Sequence, residues 1–233
     1  MHESPEHVID LSNPVSPDQP GWPTLMTPEI DQIQWAPRDG VTMEKVEMVS
    51  HTGTHIDAPL HFIEEGKTLD DYPLEKFMGE GIVLDLTPVE PEAPITVEML
   101  QTFEDQIQPD DVVMLYTGWG KYHGRNERYL FEFPYLTDDS ARYLAELDIK
   151  AVGTEGLSVA GWDGDLPNHG PATELHPSET HVPLFENDVL AVEELRHLDK
   201  VLDGEETRRA YFSFVPINFQ NTSGSPVRAY ASL

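Results

Sequence analysis

The chain has no cysteine among its 233 residues, so disulfides, thiol nucleophiles and thiolate metal sites are excluded. Any metal it binds must be held by nitrogen and oxygen, from His, Asp and Glu. Basic residues are scarce as well: 14 Lys and Arg stand against 43 Asp and Glu, a formal net charge of −29. A surface of that sign repels nucleic acid and anionic lipid, and neither is expected as a partner. The chain also lacks any run of the roughly 20 apolar residues that a membrane helix needs. Residues 1–5 show no basic region leading into an apolar one. The expectation is a cytoplasmic protein with no membrane contact. Internal repeats, Gly/Ser linkers, a Gly-x-Ser-x-Gly elbow and a phosphate-cradling glycine loop are missing too.

Acid is abundant, and it is spread along the whole length rather than gathered in one tail, which points to a solvated acidic surface. Spread in this way it looks like adaptation to high salt. In dilute buffer so many carboxylates repel one another, whereas at molar salt the Debye length falls to roughly 3 Å and screens them. Folding is therefore expected to need salt, and the melting temperature should rise between low and molar potassium chloride. An unchanged melt would remove the idea. With 39% hydrophobic residues the chain is long enough for one sizeable core, and a single domain over residues 1–233 is expected.

Short stretches rich in Val, Ile, Leu or aromatics read as strands at 8–11, 43–50, 81–86, 111–117, 150–153, 189–192 and 210–216. Prolines and a glycine between residues 13 and 23 impose an irregular path after the first of these. Thr96 is placed to cap a helix over 97–106. Thr137 is placed to cap another over 138–147, where Ala141, Leu144, Ala145 and Leu147 form an apolar face. A third helix should begin near Ser178. Strands outnumber helices and alternate irregularly with them, so the prediction is an α/β fold with a mixed β-sheet and flanking helices.

The segment His51-Thr-Gly-Thr-His55-Ile-Asp57-Ala-Pro-Leu-His61 concentrates the chemistry. Two histidines four apart could share a helical face, but Gly53 and Pro59 oppose a helix and Thr52, Thr54 and Ile56 are β-branched. In a strand, His51, Gly53, His55 and Asp57 all project one way while the β-branched set packs behind. Gly53 is then expected to leave room between the imidazoles for a metal, and Pro59 to turn His61 back over the site. A lone strand histidine is more often a hydrogen-bonded core or surface residue, but three His and an Asp in register favour a metal site. Three such ligands with an open position describe a catalytic rather than a structural centre.

These residues match every fixed position of His-x-Gly-Thr-His-x-Asp-x-Pro-x-His, and the chain thereby resembles the cyclase-like metal-dependent hydrolases that include bacterial kynurenine formamidase and isatin hydrolase. Ile9-Asp-Leu-Ser, Trp22-Pro, Tyr116-Thr-Gly-Trp119 and the stretch from Pro134 to Leu144 share the likeness, which spans most of the chain. The resemblance implies the swivelling β/β/α fold of that family. It implies one or two divalent ions per chain, zinc with manganese as the alternative, with His51, His55 and Asp57 on one metal and Asp57 reaching a second. His61 becomes the general acid/base. The family's later His and Glu, twelve apart, fall on His181 and Glu193, with His176 and Glu194 as rivals. Trp22 aligns with a substrate-contacting tryptophan, although a loop aromatic plugging the core is an equal reading. The run Gly153-Thr-Glu-Gly-Leu-Ser158 departs from the family's Gly-Ile-Asp-Thr. Residues 119–135 and 160–170 look particular to this chain and are expected to shape the pocket or a subunit contact.

The implied activity is hydrolysis of a small amide by metal-activated water, in the first place an arylformamidase of tryptophan catabolism that converts N-formylkynurenine to kynurenine and formate. The alternative within the class is a cyclic amide or lactone such as isatin. The alternative outside it is a metal-binding protein without catalysis. A small-molecule substrate and a homodimer or homotetramer complete the expectations.

Overall fold

The computed structural model describes residues 7–233. Among the described residues thirteen strands run in chain order as β1 (Val8–Asp10), β2 (Glu29–Gln34), β3 (Met43–Glu47), β4 (His55–Asp57), β5 (Met78–Asp85), β6 (Pro94–Ile95), β7 (Val112–Tyr116), β8 (Tyr135–Leu136), β9 (Ala151–Thr154), β10 (Leu190–Glu193), β11 (Thr207–Ser213), β12 (Gly224–Pro226) and β13 (Tyr230–Ser232). The α-helices are α1 (Ala36–Asp39), α2 (Val97–Gln101), α3 (Glu127–Phe131), α4 (Asp138–Glu146), α5 (Pro177–Glu186) and α6 (Leu198–Leu202).

Nine strands form one sheet in the order β1-β13-β11-β5-β7-β9-β10-β4-β12. Its centre, β5-β7-β9-β10, is parallel, and β7, β9 and β10 are almost wholly buried, as their unbroken apolar runs require when both faces are covered. Antiparallel strands extend the sheet on both sides, β11, β13 and β1 at one edge and β4 with β12 at the other. This is the mixed sheet that the irregular alternation of elements predicts.

On one face Leu144 of α4 and Leu184 of α5 pack over Leu84, Val113, Leu115 and Val152. The opposite face closes on itself. Ile9 and Ala231 from one edge share a single cluster with Ile56 from the other, so the sheet curls around its own core. A bridge between Ser12 and Leu195 joins the curl. Each fully buried aliphatic side chain here contributes about 1.5–3 kcal/mol of transfer free energy.

The helix expected over 97–106 is divided. α2 stops at Gln101, Phe103 turns into the core at 5% exposure, and a separate 3₁₀ turn follows at Glu104–Gln106. Thr96 makes no side-chain cap hydrogen bond to that helix, whereas Thr137 accepts from the Ser140 N–H at the start of α4. Burial of Phe103 thus outweighs helix propensity.

The aromatic stretch beyond β7 builds an internal cluster of its own from Trp119, Tyr129, Phe131, Phe133 and Trp162. Glu155, just after β9, turns under the loop that begins this stretch and accepts from the Trp119 N–H at 3.1 Å. It is 2% exposed. Burial pushes its pKa from 4.5 to about 7, with the backbone N–H groups of Gly120 and Thr117 pulling the other way. Folding therefore takes up a proton between those two values. The contribution of this group favours the fold fully below 4.5 and is lost as pH rises through about 7, with a slope of at most about 1.4 kcal/mol per pH unit. Glu155→Gln should accordingly lose stability relative to wild type at pH 5 and recover it by pH 8 in urea titrations. A constant difference between the two proteins across that range would refute the shift.

Candidate active site

Residues 51–61 do not form one strand. Only His55–Asp57 is β4; Gly53 has φ +63°, a left-handed turn that breaks the extended run before it. A Cβ at Gly53 would meet Val15 and Gln19, so this glycine serves the turn and its packing rather than opening space between the imidazoles. His51 reaches the site from a bend, and its Nδ1 lies 2.6 Å from Asp57 Oδ1. Ile56 packs behind at 0% exposure, as the alternation of β4 requires. Pro59 opens a 3₁₀ turn over Pro59–His61 that brings the His61 ring onto His51, stacked with centroids 3.9 Å apart.

The register of the sheet adds the distant partners. β10 lies antiparallel to β4 with Glu193 directly opposite His55, so the two side chains share a face. His55 Nε2 is 3.4 Å from Glu193 Oε2 and 3.3 Å from Asp57 Oδ1. From α5, His181 places Nε2 3.3 Å from Glu193 Oε1 and 3.7 Å from Asp57 Oδ2. Two donor groups result, His51 with His55 and Asp57, and Asp57 with His181 and Glu193. Asp57 belongs to both.

Neither rival belongs to a donor group, although both line the cavity described below. His176 is the exposed cap of α5, where its side chain accepts from the Ser178 N–H. Glu194 adopts φ +55° and accepts from Gln19 Nε2 at 2.9 Å, with His123 3.6 Å distant.

Backbone and hydroxyl groups around the site hold these side chains in place. Gly53 O accepts from His55 Nδ1 at 2.7 Å and Pro177 O from His181 Nδ1 at 2.8 Å. Ser158 Oγ and the Val159 N–H both donate to Glu193 Oε1 at 2.8 Å. Ser223 Oγ is 3.0 Å from His51 Nε2, and Gly224 lies so close beneath that ring that any Cβ would overlap it. Sequence reasoning missed Ser223 and Gly224. Their signal is a long-range strand pairing, β12 on β4, that no local pattern carries.

The donor set fits a divalent cation on two observations. First, a carbonyl can only accept, so both His55 and His181 spend an Nδ1 proton on one. Each Nε2 then meets buried carboxylates as a bare lone pair unless it carries a second proton or faces a cation. Second, Asp57 Oδ2 is buried with no hydrogen-bond donor. Nitrogen with carboxylate oxygen and no sulfur is a donor set for a divalent metal.

The electrostatics follow the same geometry. Burial disfavours a charged His55, but the carboxylates of Asp57 and Glu193 outweigh it and push the pKa up to about 10. His181 is raised for the same reason against the same penalty. Burial would lift Asp57, yet His51 and His55 hold it well below the usual carboxylate range. His61 goes the other way, down to about 4, because burial dominates and His51 and His181 add to it against the pull of Asp57. Its imidazole is neutral at neutral pH.

Of these groups His55, His61 and His181, together with His51 and Glu193, line a cavity of about 280 Å³. Trp22, Leu25, Phe62, Leu157 and Pro177 supply its apolar walls, and Asp163 and His176 its polar ones. Trp22 packs on Trp162 at 5.0 Å between centroids, which ties this wall to the aromatic cluster. Trp22 is therefore both pocket wall and packing residue. No helix among the described residues is long and apolar enough to cross a membrane.

The chain is similar to known proteins over most of its length. Kynurenine formamidase of Bacillus cereus is 30% identical over 223 residues, which cover 95% of each protein. A predicted metal-dependent hydrolase from Bacillus stearothermophilus superposes with a TM-score of 0.74 at 30% identity, covering 97% of both chains. Isatin hydrolase A from Labrenzia aggregata, bound to benzyl benzoate, superposes with a TM-score of 0.80 at 25% identity, covering 97% of this chain and 93% of that one. Residues 9–160, well over half of the sequence and all of the 51–61 motif, match the family model named Cyclase, and the chain belongs to that family.

Proposed function

We propose that this single-domain protein is a metal-dependent hydrolase of small amides, and specifically an arylformamidase that takes N-formylkynurenine to kynurenine and formate. The observation that carries the reading is the position of Asp57, shared by two donor groups whose other members line a pocket with an aromatic wall. Similarity to kynurenine formamidase over 95% of both chains supports the substrate class.

In this reading His51, His55 and Asp57 hold one divalent ion and Asp57, His181 and Glu193 a second, zinc in the first place and manganese as the alternative. Ions held there would lower the pKa of water toward about 7 and polarise a carbonyl. The remaining work belongs to the side chains. Trp22 and Phe62 offer faces for an aryl ring, which directs the formyl group toward the buried end. His61 is neutral and borders both donor groups, so its imidazole can take the proton released as water oxygen bonds to the formyl carbon. When the carbon–nitrogen bond breaks, the same imidazole returns that proton to the departing aryl amine. Water is consumed, formate and amine leave, and His61 ends as it began.

A cyclic lactam such as isatin is the second reading, favoured by the fit to isatin hydrolase A and by walls that suit a planar bicycle. A metal-binding protein without catalysis has no use for His61, which stands beside the donor groups without belonging to either. Elemental analysis of the purified protein, paired with turnover of N-formylkynurenine, isatin and a set of lactones, separates the three. Fast formamide hydrolysis supports the first reading. Isatin opening without formamidase activity transfers the assignment to the second, and metal with no turnover on any of them removes catalysis. We further propose a cytoplasmic homodimer or homotetramer adapted to high salt.

A further inference from the structure

Most of the polar side chains that line the cavity are already engaged. His51, His55, His181 and Glu193 belong to the donor groups, and His61 carries the proton in the reading above. Glu194 accepts from Gln19, and Ser158 donates to Glu193. Asp163 and His176 are left over. Asp163 is half-buried and makes no hydrogen bond or ion pair to any described residue. His176 accepts from the Ser178 N–H through Nδ1 at 3.2 Å, so its neutral ring keeps a proton on Nε2, a donor that no described residue accepts.

Packing fixes both groups in place. Trp162, just before Asp163, is 1% exposed, and its carbonyl accepts from the N–H groups of Ala172 and Thr173. Gly164, just after it, lies so close to the Trp162 ring that any Cβ would overlap it. His176 caps α5 five residues before His181, roughly 7 Å along the helix. Phe62 neighbours both rings, with its centroid 4.5 Å from that of His181 and 6.4 Å from that of His176. A substrate whose aryl ring meets Phe62 therefore has its formamide within reach of His181 and its other end within reach of His176.

A carboxylate and an N–H donor, both without partners in one pocket, complement the ammonium and the carboxylate of an α-amino acid. We propose that Asp163 and His176 are the specificity-determining residues for the far end of the substrate, Asp163 holding the ammonium and His176 the carboxylate of an aryl formamide that is also an amino acid. An uncharged lactam leaves both groups unanswered, and a site built for such contacts rejects the analogue that lacks them. The inference rests on the formamidase reading and names the part of the substrate that the pocket reads.

The test compares kcat/KM of the metal-loaded protein on N-formylkynurenine, on its deaminated analogue, which keeps the carboxylate, and on its decarboxylated analogue, which keeps the ammonium. Wild type should lose at least about tenfold on the deaminated analogue, the worth of one hydrogen bond to a charged group. Asp163→Asn should bring that ratio toward one. His176→Asn, which keeps a capping oxygen for α5, should instead lower the ratio of N-formylkynurenine to the decarboxylated analogue. Ratios between substrates cancel any general loss of activity, and the wild-type comparison holds even if a variant misfolds. Wild type that turns over none of the three overturns the formamidase reading and the proposal with it. Turnover without the wild-type preference, or a preference that Asp163→Asn leaves intact, overturns the role of Asp163 while the formamidase reading stands; an unchanged second ratio in His176→Asn does the same for His176.

Discussion

His61→Ala is expected to lower kcat on an aryl formamide by about 10²- to 10⁴-fold, the usual worth of a positioned acid/base, while the metal content of the protein stays at the wild-type level. The expectation rests on where the ring lies. Its centroid is 3.9 Å from that of His51 and 6.1 Å from that of His181, yet it belongs to neither donor group. Removing it should leave both groups intact. Elemental analysis beside steady-state kinetics reads the two effects separately. If kcat survives, another residue carries the proton; if metal leaves with the ring, His61 is a ligand and the division of labour proposed above fails.

Asp57→Asn should have the opposite profile and a larger effect on binding. Asp57 is the one residue common to both donor groups, so its replacement by a neutral side chain of the same size takes the shared anionic donor from both at once and leaves a weaker amide oxygen. Metal affinity should fall at least about 100-fold, beyond what outer supporting partners are worth, and activity should fall with it even at saturating substrate. His181→Ala is the control, since it touches only the second group. Calorimetric titration of the stripped protein with zinc or manganese would show two binding events in wild type, one in His181→Ala and none of comparable strength in Asp57→Asn. Undiminished binding to Asp57→Asn would mean that the two groups do not share this carboxylate.

What could be read from the sequence followed the range of the interactions involved. The 51–61 donors lie within eleven residues, so their chemistry was visible even though the single strand imagined for them was not real. Gly53 reads equally well as a strand glycine or as a left-handed turn, and only packing against Val15 and Gln19 distinguishes the two. Thr137 was legible as a cap because the cap is local. The extent of the preceding helix was not, because Phe103 obeys a core assembled from remote strands. The choice between Glu193 and Glu194 depended on how β10 is registered against β4, segments about 130 residues apart, and a slip of one reverses every face. Family likeness pointed to Glu193, while the residues alone had no means to choose. The mixed sheet was readable from composition and alternation, whereas its strand order and its curl were not.

The pairing of β12 with β4 gives the site an order of assembly in time. All the proposed ligands lie before residue 194, but the edge that carries His55 and Asp57 is sealed by Gly224–Pro226, and the hydroxyl facing His51 belongs to Ser223. A nascent chain that has released its first two hundred residues already owns every donor and still has an unpaired edge beside them. During synthesis that edge therefore stays open until residues 223–226 have left the ribosome. Until then the His51 ring lacks the Ser223 and Gly224 contacts that hold it in place.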